Sequence, residues 1–88
     1  MEPDESFLLK HLTYGLDMWR DPLQRVDDCI RGIAARTDPP EKYVRAIRAA
    51  LASSEPLADE LLVDSHSEAT VRAFLKAIEQ RLAAEPSK

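Results

Sequence analysis

Glycine is scarce in this chain, with only Gly15 and Gly32 among 88 residues. Phosphate-cradling loops, tight hairpins and dinucleotide-binding turns use glycine wherever the backbone must be left-handed or closely approached, so those architectures are disfavoured. Cysteine is limited to Cys29, which excludes a disulfide within these residues and any paired-thiol metal motif. The histidines, His11 and His66, have no second His or Cys at ligand spacing, and no HExxH or CxxC occurs. No metal and no cofactor are therefore expected. Apolar runs are a few residues long, far short of the roughly 20 that span a bilayer. The acidic start, Met1-Glu2-Pro3-Asp4-Glu5, lacks the character of a signal peptide. These absences lead us to expect a cytoplasmic protein without a membrane partner.

Period-two alternation is also missing, so no sheet is expected, and there is no internal repeat. A chain of this length forms one domain and buries about 60–65 % of the surface its unfolded form exposes. With 44 % hydrophobic and 32 % charged residues it is too apolar to remain disordered. The helical pattern is clear. Asp4 is placed to cap a first helix over residues 5–13, with Phe7, Leu8, Leu9 and Leu12 inward and Gly15 ending it. An aromatic-rich connection, Tyr14 to Trp19, follows. Asp21-Pro22 then opens a helix reaching about residue 36, with Leu23, Val26, Ile30 and Ile33 on one face and Cys29 at its border. Thr37 or Asp38, with Pro39-Pro40-Glu41, opens a third, striped by Tyr43, Val44, Ile47, Ala50 and Leu51 and ended by Ser53 and Ser54. A short fourth helix, capped by Ser54, points Leu57, Leu61 and Leu62 inward. The last starts at Ser67 or Thr70 and buries Val71, Phe74, Leu75, Ile78 and Leu82. The expected fold is all-α, a compact single-domain bundle of about five helices over residues 1–88, with 1–4 and 84–88 as frayed ends.

Charge is distributed unevenly. The net charge is −4, and between positions 49 and 71 there are five acids, Glu55, Asp59, Glu60, Asp64 and Glu68, with no Lys or Arg. Phosphate backbones repel such a chain, so nucleic acid is not an expected partner, and a basic protein partner suits it better. A helix-turn-helix reading fails because Arg25, Arg31, Arg36, Lys42, Arg45 and Arg48 are interleaved with Asp27, Asp28, Asp38 and Glu41. Surface acids also serve solubility alone.

Catalytic constellations are not found. Asp64-Ser65-His66 holds the residue types of a hydrolytic triad, but consecutive side chains diverge and cannot form a relay. They read better as a polar turn, with Ser65 and Glu68 at capping-box spacing. Asp27-Asp28 and Asp59-Glu60 are adjacent acids that diverge on a helix. Asp64-Ser65 weakly resembles the attachment site of acyl carrier proteins, but it lacks their preceding Gly and following Leu. Too little chain follows Ser65 for that fold. We expect no enzyme.

The order of features resembles the small immunity proteins of bacterial contact-dependent growth inhibition systems. It comprises an apolar first helix, the Tyr14…Asp17…Trp19 connection, Val26-Asp27-Asp28, Pro40-Glu41, Leu57-Ala58-Asp59-Glu60-Leu61 and Thr70-Val71-Arg72-Ala73-Phe74-Leu75. The likeness runs from about Phe7 to Leu82. Two departures are that Met18 separates Asp17 from Trp19, and that residues 63–67 carry no aromatic. The resemblance implies a non-catalytic protein that binds the toxin domain of a secreted effector, often a nuclease, and occludes its active site. Asp59, Glu60, Asp64 and Glu68 are the candidate electrostatic contacts, and Tyr14, Asp17 and Trp19 the candidate aromatic anchor. A non-catalytic helical adaptor, in one or more copies, is the alternative.

Overall fold

The computed structural model describes residues 3–14, 16–35 and 39–84. Among these there are five α-helices and no strand: α1 (Pro3–Leu12), α2 (Val26–Ala34), α3 (Pro40–Ala52), α4 (Leu57–Glu60) and α5 (Glu68–Ala84). Two 3-10 turns, Leu16–Met18 and Pro22–Arg25, lie between α1 and α2. The all-α expectation is met. Positions 15 and 36–38, where a helix stop and a cap were expected, lie outside the described residues, as do 1–2 and 85–88. Residues 3, 4 and 84, expected among the frayed ends, belong to α1 and α5. Asp4 therefore sits inside the first turn of α1 rather than capping it, where a carboxylate is still favourable to the helix dipole.

The long helix α5 organises the core. Val71, Phe74, Leu75 and Ile78 are fully buried at three- and four-residue steps, and Leu82 closes the same face. This face packs on α3, which contributes Tyr43, Ala46, Ile47 and Ala50, and also on α2 and α4. Helix α1 also packs on α3, and its Leu8 and Leu9 are buried in the same core. Ala46 and Ala50 let these helices approach closely, while Tyr43 and Phe74 fill the widest space.

Three residues expected inward are exposed. Phe7 lies outside the arc shared by Leu8, Leu9 and Leu12, and its ring meets His11 edge-on at 5.3 Å. The segment before α2 starts as a 3-10 turn, in which Pro22 is buried and Leu23 is half exposed. Leu62 lies beyond the end of α4 and points outward.

The helix ends show how the chain satisfies its orphan backbone groups. The Asp21 carboxylate accepts from Leu23 N–H at 3.2 Å, and the Ser67 hydroxyl accepts from Thr70 N–H at 3.2 Å, so both act as N-caps. Pro39 occupies the N-cap position of α3, with Pro40 at the first helical position. Ser53 is the C-cap of α3, as expected. At α4 the N-cap position is Pro56, not Ser54, and no local side chain caps it. The Glu68 carboxylate takes that role instead, accepting from Leu57 and Ala58 N–H at 2.8 Å each.

Candidate functional site

Asp17 joins two segments 47 residues apart. Its Oδ1 accepts from the backbone N–H of Asp64 at 2.9 Å and of Ser65 at 2.8 Å, and Oδ2 also lies 3.2 Å from Asp64 N. His66 Nε2–H donates to the Leu16 carbonyl at 2.9 Å, and because a carbonyl only accepts, Nε2 carries the proton. The turn at 61–66 is thus clamped against the connection at 13–19. The Ser65 and Asp64 amides hold the Asp17 carboxyl below the usual carboxylate range, slight desolvation opposes them, and His66 adds to the lowering.

The clamp forms one wall of a shallow pocket of about 320 Å³, lined by Lys10, Thr13, Tyr14, Leu16, Asp17, Leu61, Leu62 and Val63. Leu16, Leu61 and Val63 are buried, whereas Tyr14 is 85 % and Leu62 72 % exposed. The backbone of the pocket's second wall is a Schellman motif. Val63 N–H donates to Ala58 carbonyl at 2.8 Å and Leu62 N–H to Asp59 carbonyl at 3.2 Å. In this motif the residue after the C-cap is left-handed and is usually glycine. Here it is Leu62, with φ 59°.

The candidate contacts fall into two groups. Asp59 and Asp64 are exposed, and exposed Glu60 accepts from the Ser6 hydroxyl at 3.1 Å, which ties α4 to α1. Tyr14 is exposed in the pocket lining, which none of these three acids joins. Asp17 and Glu68, by contrast, hold the fold together. Both Glu68 oxygens accept α4 amides, and Oε2 also accepts from Arg72 Nε at 2.7 Å. Desolvation pushes the Glu68 carboxyl up, but the Ala58 and Leu57 amides together with Arg72 outweigh it and hold it low. Trp19 is half-buried and tilts against Phe74 at 6.2 Å, so it serves the core.

Arg72 changes the picture of a cation-free segment. It lies one residue past the acidic stretch and reaches back over it, donating to the carbonyls of Leu51 (3.3 Å), Ser53 (2.9 Å) and Glu55 (3.0 Å). One guanidinium thus terminates α3, holds the 53–55 link and neutralises Glu68. Of the five acids only Glu68 is taken up by Arg72, while Glu55, Asp59, Glu60 and Asp64 stay exposed, Glu60 with its bond to Ser6.

The remaining sequence candidates have structural partners. Ser65 and His66 are taken up by the clamp rather than aligned with each other. Ser65 and Glu68 make no capping box, because Glu68 serves α4 instead. Asp28 pairs with Arg31 and Arg25, while Asp27 turns away to Arg81. Burial, with Asp28 nearby, pushes the half-buried Cys29 thiol up to about 11, so it stays protonated and weakly nucleophilic at neutral pH. Among the described residues no group of three or more His, Cys, Asp or Glu side chains is placed to hold a metal, and no helix is long and apolar enough to cross a membrane.

Sequence reasoning missed Leu62, Lys10 and the buried pocket lining. Local spacing did not separate Leu62 from Leu61, because adjacent residues such as Phe74 and Leu75 can both be buried in one core. Comparison with family models, curated proteins and solved structures gives no match.

Proposed function

We propose that this chain is a non-catalytic binding protein whose acidic face captures a basic protein, and that this partner is a bacterial toxin domain held inactive by occlusion of its active site. The observation that carries the reading is the Asp17 clamp. It holds Asp17 against the backbone of Asp64 and Ser65, next to an open pocket lined by Tyr14 and residues 61–63, and Asp59, Glu60 and Asp64 flank those residues in the chain. Nuclease clefts are basic because they bind phosphate, and carboxylates on a firm turn can occupy the same positions. The toxin identity comes from the family resemblance alone.

The test is co-expression with the candidate toxin domain encoded alongside, followed by size-exclusion chromatography of the pair. Rescue of growth and a stable complex are expected. If the toxin still kills and no complex elutes, the immunity reading is wrong. Binding to a basic protein without neutralisation would favour the adaptor reading.

A further inference from the structure

The acidic face does not by itself account for the apolar lip of the pocket. Leu62 is 72 % exposed and holds φ 59° at a position where glycine is the unstrained residue. Its side chain adds nothing to the core, and in the free protein it is unfavourable both for its backbone and for its contact with water. Tyr14, 85 % exposed, lines the same pocket, above buried Leu16, Leu61 and Val63. Backbone strain retained beside an exposed apolar side chain points to a contact made only in a complex.

Charge identifies what makes that contact. The pocket wall at 61–63 is flanked in the chain by Asp59 and Glu60 before it and Asp64 after it, and Asp17 lines it, while Lys10 is the one cation in its lining. A second copy packed about a two-fold axis would set these acids against themselves. We propose that the pocket receives one apolar side chain from a basic segment of the partner protein, with Leu62 and Tyr14 closing on that side chain and Asp59, Glu60 and Asp64 meeting the lysines or arginines beside it. This rests on the acidic-face reading and narrows it from charge alone to charge plus an apolar anchor.

The test uses the isotope-labelled full chain and synthetic peptides Lys-Arg-X-Arg-Lys with X as Leu, Phe or Ala, plus a Glu-flanked Leu control. The Leu and Phe peptides are expected to shift the amides of Tyr14, Leu61, Leu62 and Val63, and to bind about tenfold more tightly than the Ala peptide. Leu62→Gly should abolish that discrimination while raising the melting temperature, so misfolding cannot explain the loss. Asp59→Lys with Asp64→Lys should weaken all three basic peptides alike. Equal affinity for Leu, Phe and Ala overturns the anchor and leaves the acidic-face reading standing. Equal binding of the Glu-flanked control, or no binding of any basic peptide, overturns both. A dimer whose concentration-dependent shifts map to Tyr14 and Leu62 without peptide assigns the pocket to a second copy and overturns the anchor.

Discussion

At position 62 a leucine occupies backbone territory that glycine enters without penalty. The left-handed conformation costs an L-residue about 1–2 kcal/mol, partly offset by the extra freedom glycine has when unfolded. Leu62→Gly is therefore expected to stabilise the free protein by roughly 0.5–1 kcal/mol, read as a higher denaturation midpoint in urea. Gly32 presents the opposite case. It lies within α2, where an added Cβ would meet nothing within 4 Å. Gly32→Ala should gain about 0.5–1 kcal/mol from helix propensity alone. Asp17 acts through geometry. Asp17→Asn removes the charge and one acceptor oxygen, so the amides of Asp64 and Ser65 should lose hydrogen-exchange protection while the core of α5 keeps its own.

The helices differ in whether their ends are satisfied locally or from a distance. The cap at Asp21 is local and recognisable from Asp-Pro, and Asp21→Ala should cost about 1 kcal/mol. Helix α4, four residues long, has no stability of its own and depends on Glu68 and Arg72. Arg72→Ala leaves Glu68 and three carbonyls without that donor and should cost about 2–3 kcal/mol. Arg72→Lys should not restore it, because an ammonium cannot span the same fork of acceptors. The pH dependence follows from the same contacts. The carboxyls of Asp17, Asp28 and Glu68 are all lowered in the folded state. Their stabilisation is complete above the unfolded pKa values and disappears as pH falls through the lower folded values. Melting temperature should therefore hold from neutrality to about pH 5 and fall progressively below about pH 4. Glu68→Gln should flatten that decline.

For the whole molecule, stability rests on the helical core. The core is centred on α5 and α3, and Phe74→Ala should cost about 3–5 kcal/mol, a large share of the roughly 5–15 kcal/mol available to a domain. Surface pairs between helices, Arg48 with Glu79 at 2.7 Å and Arg81 with Asp27, contribute little by comparison because water screens them. The side chains of Asp59 and Asp64 are exposed on the surface. Replacing Asp59 and Asp64 together with Lys should leave the melting temperature nearly unchanged, yet slow association with a basic partner and weaken its salt dependence, measured by stopped-flow mixing at two ionic strengths.

The chain's own residues determined the helical class, the stripes of α3 and α5, and the caps at Asp21 and Ser67. These are set by interactions within about one helical turn, so spacing reveals them. The acids of residues 59–64 were also legible, because charge is a property of composition. Tertiary structure decided which charges stay open. Arg72 and the α4 amides engage Glu68, and the turn at 64–65 engages Asp17, through contacts between segments distant in the chain. It also decided that Leu62 faces out while Leu61 faces in, because α4 ends after one turn and only the packing of that turn selects which leucine of the pair is buried.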